Sequence, residues 1–85
     1  MTAFYYPRYD IADEINRPVA TVTLRIHAAD PIAAIAIGAA AVATEIAVEH
    51  NRASDWFIID ARFAPTLPGA PAIGWRWFDD ADGQR

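Results

Sequence analysis

From Pro31 to Thr44 the chain carries no charged residue, and Asp30 stands immediately before that run. Asp at a helix N-cap accepts from the free N–H groups of the first turn, and Pro at the first helical position gives up only a donor that would lack a partner anyway. A helix from Pro31 to about Asn51 follows. Ile32, Ile35, Ala39, Val42 and Ile46 recur at helical spacing and make a core stripe; Ile37, Ala41, Thr44 and Val48 make a second, smoother one. Two apolar stripes exceed what one sheet face needs. The charge-free half, Ile32 to Val42, is therefore either set deep across the domain's own sheet or open to a partner.

Strand patterns flank this helix. Ala20, Val22, Leu24, Ile26 and Ala28 alternate with Thr21, Thr23, Arg25 and His27, and Phe57, Ile59, Ala61 and Phe63 alternate with Trp56, Ile58, Asp60 and Arg62. A strand, a helix and a strand with short connections form a crossover unit, so Pro18 to Ala28 and Trp56 to Phe63 should run parallel, with room for another strand between them. Residues 64–71, rich in Pro, read as a loop before an aromatic third strand, Ala72 to Phe78, which implies a long hairpin. In residues 1–17, Phe4, Tyr5, Tyr6 and Tyr9 suit an edge strand paired with Pro18 to Ala28 and followed by a turn; the alternative makes Asp10 to Asn16 a helical turn with Ile11 and Ile15 on one face. Residues 79–85 read as a flexible acidic tail. The expected fold is a single α+β domain spanning 1–85: a small mixed, mostly antiparallel sheet of three or four strands with one long helix packed on one face.

At 85 residues the chain has material for one core, since a chain this short buries little more than about 60% of its unfolded surface. A hydrophobic share of 54% against 21% charged residues places it with folding chains. It has no cysteine, so disulfides and thiolate ligands are excluded, and a cytoplasmic location is expected. The net charge is −4 and the seven basic residues, all Arg, form no stripe, which speaks against direct nucleic-acid binding. The uncharged run falls short of the roughly 20 residues that cross a bilayer, so no membrane span is expected. Pro7, Arg8 and Asp10 interrupt any signal-peptide core, and a mature chain starting at Met1 is the reading.

Candidate chemistry is sparse. His27 and His50, the two histidines, lack ligand-like spacing, and His50 suits a polar place in the last helical turn. Asp80-Ala81-Asp82-Gly83 imitates the start of a calcium loop without the Glu that closes one. Asp60, inside a strand, is read as a cross-strand charge partner of Arg62 and Arg25 instead of a general acid. No nucleophile elbow or phosphate loop is present, so neither catalytic, cofactor nor metal residues are assigned, no cofactor is expected, and the chain is read as a non-enzyme. The informative cluster is aromatic. Trp75 and Trp77 share a face, either in the core or on an open face with Trp56 and Arg76, the composition of a protein–protein hot spot.

The strand TVTLRIHA, the helix PIAAIAIGAAAVATEIAVEHN opened by DP, and the strand DWFIIDARF, in an acidic cysteine-free chain under 100 residues, resemble the layout of small phage- and prophage-encoded anti-CRISPR proteins acting on type I systems. That resemblance implies a stoichiometric inhibitor that binds a CRISPR surveillance complex and keeps target DNA away. On the binding-protein reading, Glu45, Glu49, Asp55 and Asp60 steer the chain toward basic surface, while Trp56, Trp75 and Arg76 anchor it. The competing reading is a scaffold module that homodimerises through the apolar helix face or a strand edge; monomer and homodimer are both open.

Overall fold

The structure, a computed structural model, describes residues 2–65 and 72–78. Its frame is one long hairpin. β1 (Ala3–Tyr5) pairs with β4 (Ile26–Ala28), and β2 (Pro7–Asp13) pairs with β3 (Pro18–Leu24). Tyr5 opposite Ile26 and Arg8 opposite Thr23 belong to one register, so the two pairs are a single antiparallel ribbon interrupted at Tyr6 and Arg25. The turn is tied by Asp13, whose Oδ1 accepts from the N–H groups of Ile15 (3.1 Å) and Arg17 (2.8 Å). Asn16 adopts the left-handed conformation there (φ 64°), which Asn tolerates. The Arg17 N–H, above all, holds the Asp13 carboxyl below its ordinary value. Asp10 to Asn16 is thus strand and turn, and the helical alternative is set aside.

β5 (Trp56–Phe63) pairs with β2, and β6 (Ile73–Trp77) pairs with β3, both antiparallel, giving a four-stranded sheet of order β5-β2-β3-β6. Two expectations are corrected by this order. The N-terminal segment is not an edge strand: β2 lies at the centre, its inner side bearing Tyr9 and Ile11 in the core and its outer side Arg8 and Asp10. Nor do β5 and β6 form a hairpin, since they are the two edges of the sheet. The expected relation of β3 and β5 holds: they point the same way with β2 between them, so no parallel pair is formed. Residues 66–71, read as loop, and the acidic tail of 79–85 with its calcium-loop fragment lie outside the described residues.

α1 (Pro31–Thr44) begins where expected: the Asp30 carboxylate accepts from the Ala33 N–H at 2.7 Å, with Pro31 in the first turn. It runs into a wider π-helical turn, Glu45–Glu49, and ends at Asn51 (φ 55°), a left-handed residue that stops the helix. With the two glutamates inside the helix, Pro31–Glu49 spans 19 residues at mean hydropathy 1.9, long and apolar enough to cross a membrane by length and composition, contrary to the shorter reading. The side of α1 laid on the sheet is Ala34, Gly38, Val42 and Ile46. Of the expected core stripe, Val42 and Ile46 are buried, Ile35 and Ala39 half-buried, and Ile32 exposed. Small residues lead because the sheet comes close: the Tyr9 hydroxyl donates to the Ile35 carbonyl at 2.7 Å, and a Cβ on Gly38 would collide with that hydroxyl. Burial raises the Tyr9 phenol above its ordinary value.

Candidate functional site

β5 carries a bulge, and it decides where the predicted site residues go. Asp10 faces Asp60 but Ile11 faces Ile58, leaving Ile59 as an extra residue that reverses the alternation. Trp56 and Ile58 turn toward α1; Asp60 and Arg62 turn away. Trp56 is therefore 7% exposed in the core, not on the polar side of its strand with Asp60 and Arg62.

Trp75 and Trp77 lie on that inner side too, because they face Val22 and Ala20 of the core. Their rings stack at 5.0 Å, and His50, at the end of the π turn, packs between helix and sheet at 4.9 Å from Trp75, 5.2 Å from Trp77 and 5.5 Å from Trp56. Trp75 Nε1 donates to Glu45 Oε1 at 3.3 Å, and Arg52 lies over the Trp56 ring while pairing with Asp55 at 3.4 Å. Of the two readings of the tryptophans, the core one holds for Trp75 and Trp77 and the open platform of Trp56, Trp75 and Arg76 does not form: the two indoles join the helix end to the sheet, and Arg76, one residue out of phase, faces the other way. His50 owes its position to this packing, beyond a polar place in a last turn.

The side of the sheet away from α1 is charged. Arg62 pairs with Asp60 at 3.0 Å and, across strands, with Asp10; the cross-sheet partner is thus Asp10, whereas Arg25 lies over the Phe4 ring, against which His27 also stacks. Arg8 on β2, Thr21 on β3 and Arg76 on β6, with Trp77 and Phe78, line a cavity of about 270 Å³. Arg8 Nε and Asp10 Oδ1 are buried without hydrogen-bond partners among the described residues. Glu45, Asp55 and Asp60 are held by different partners, and Asp60 lies across the sheet from the helix that bears Glu45 and the exposed Glu49, so the predicted acids do not gather into one acidic face. Among the described residues no group of three or more His, Asp or Glu side chains is placed to hold a metal ion.

The outward side of α1 is the third surface. Ile32 (82% exposed), Ile37 (48%) and Val48 (69%) stand out from it, with Ala36, Ala40 and Thr44 exposed between them. The second apolar stripe of the sequence is this side, except that Ala41 is half-buried.

No family model matches the chain, and neither a curated protein nor a solved structure matches it.

Proposed function

We propose that the chain is a non-enzymatic binding module that pairs with a second copy of itself through the outward side of α1. The observation that carries this reading is the charge-free exposed strip Ile32, Ala36, Ile37, Ala40, Thr44 and Val48. The strip is self-complementary. With two helices antiparallel about Ala40, Ile32 of one copy meets Val48 of the other, Ala36 meets Thr44, and Ala40 meets itself, as a two-fold contact requires. The alanines along the middle let the helices approach closely, with the larger side chains to either side. In a chain of net charge −4 this strip also lets two copies meet without opposing carboxylates.

Magnitude sets the expected strength. Six partly exposed aliphatic side chains, three from each copy, contribute about 1–2 kcal/mol each on burial. Association itself costs about 4–15 kcal/mol. A weak dimer, with Kd of order micromolar or above, follows.

Inhibition of a type I CRISPR surveillance complex is the second reading. It is favoured by the outer sheet face, where exposed Arg62, Arg76, Asp60 and Phe57 have the mixed charged and aromatic composition of a protein contact. With its acids dispersed, such an inhibitor acts by steric blocking instead of by imitating DNA.

Size-exclusion chromatography with light scattering over a concentration series tests the first reading. The mass should rise toward that of a dimer, and Ile37→Glu should return it to monomer with the circular dichroism unchanged. A wild-type chain that stays monomeric, or a dimer indifferent to Ile37→Glu, overturns it. Flotation with vesicles that Ile37→Glu abolishes assigns the strip to a lipid surface, and co-elution with a surveillance complex that Arg76→Glu abolishes moves the function to the second reading.

A further inference from the structure

We infer that the outer face of the sheet carries a binding site for a small oxyanion, built from Arg8, Thr21 and Arg76. These side chains come from three adjacent strands: Thr21 faces Arg76 in the β3–β6 register, and Arg8 sits diagonally from Thr21 across the β2–β3 pair. Together they line the cavity of about 270 Å³, an order of magnitude more room than a single water needs. The site lies across the sheet from α1, so it stands independently of helix pairing.

Charge distribution singles these two arginines out. Of the three on this face, Arg62 is neutralised twice over, by Asp10 and Asp60. Arg8 lies directly opposite Arg62 in register, and the two carboxylates nearby, Asp10 and Asp60, pair with Arg62. Neither Arg8 nor Arg76 has a carboxylate partner among the described residues. The Arg8 Nε–H is moreover buried with no acceptor among the described residues, an arrangement that proteins seldom leave unused, since the group has given up its water. An oxyanion oxygen in the cavity supplies that acceptor. Guanidinium forks match the paired oxygens of a carboxylate or phosphate, and the Thr21 hydroxyl, on a residue only 8% exposed, adds a neutral donor between them.

Asp10 sets the charge of the ligand. It faces Thr21 in register, and its Oδ1 is buried without a donor among the described residues. A carboxylate so close repels a dianion and tolerates a monoanion, above all one that carries a proton to donate. The ligand class is therefore a singly charged oxyanion, a carboxylate or a monoprotonated phosphate group.

The test is a titration of the protein followed by NMR at the arginine Nε–Hε signals, with acetate, inorganic phosphate and chloride at constant ionic strength. Arg8 and Arg76 should shift together and saturate with acetate or phosphate but not with chloride. Arg62 on the same face and Arg17 in the β2–β3 turn should stay in place. Saturation by acetate alone assigns a carboxylate ligand, and by phosphate alone, tighter at pH 6 than at pH 8, a phosphate group. Arg8→Gln and Arg76→Gln should each weaken binding about tenfold or more, while Asp10→Asn should strengthen binding of phosphate at pH 8. Non-saturating shifts shared by all four arginines, or a titration unchanged in Arg8→Gln, overturn the assignment.

Discussion

The two faces of the central sheet differ in what a side chain there has to do. Under α1, Tyr9, Ile11, Val22, Leu24 and Trp56 exclude water and are at most 7% exposed. On the other face Asp10, Asp60 and Arg62 pair with one another in contacts that salt screens, and Arg8 and Arg76 line the cavity beside them. The two sets share β2 and β5, and in β2 they alternate residue by residue. A change on the inner face should therefore move stability and leave ligand chemistry alone; a change on the outer face should do the reverse.

The largest effect expected is Trp56→Ala. Trp56 is nearly fully buried and touches His50 and Trp77, so its truncation empties the joint between the helix end and the sheet. A loss of about 3–5 kcal/mol is expected, a large part of the stability of a small domain. Urea unfolding followed by Trp fluorescence measures it. A loss below about 1 kcal/mol would mean that the joint repacks and that the inner face is not the rigid side.

Next comes the close contact midway along α1, at Gly38. Gly38→Ala gains up to about 1 kcal/mol of helix propensity. Its Cβ, however, would meet the Tyr9 hydroxyl and lie 3.1 Å from Pro7 Cγ, so the hydrogen bond to Ile35 is lost along with the fit. A net loss of about 1–3 kcal/mol is expected. Adding Tyr9→Phe should recover part of it, because the hydroxyl in the way is gone. The double-mutant cycle then reads a favourable coupling of about 0.5–2 kcal/mol; additive losses would show that Gly38 and Tyr9 do not constrain each other.

The same contrast explains what could be read from the sequence. β3 and the start of α1 were legible because an alternating run, or a cap followed by a charge-free stretch, reflects a single environment on each side; β5 was legible as a strand but not in which way its side chains face. β2 was not legible as a central strand. Pro7, Arg8, Asp10 and Asp13 look like loop or edge, and only the two-sided setting, Tyr9 and Ile11 inward and charges outward, accounts for them. Period two places Trp75 and Trp77 on one face but does not say which, and the pairing of β6 with β3 decides that. One extra residue, Ile59, sends Trp56 inward and Asp60 outward although their spacing predicts a common side. Arg8 and Thr21 had no local signal, since their cavity is formed by three strands brought together from distant parts of the chain.

The smallest effects should come from the charge cluster, and there their order carries the information. Asp10 and Asp60 face each other directly and share the single cation Arg62, whose side chain is 52% exposed. Asp60→Asn removes one exposed ion pair, worth about 0–1 kcal/mol, but also one like-charge neighbour of Asp10, worth about 0.2–1 kcal/mol in the opposite direction. The two nearly cancel, and a change within about 0.5 kcal/mol is expected. Arg62→Gln has no such compensation: it leaves two carboxylates opposed with no cation between them. It should cost more than Asp60→Asn, up to about 1 kcal/mol at low ionic strength, with the cost shrinking as salt is added. Urea midpoints of both variants at low and high salt check the order. If Asp60→Asn proves the more damaging, or if either approaches the loss at Trp56, then the outer face also carries stability and the division between the two faces fails.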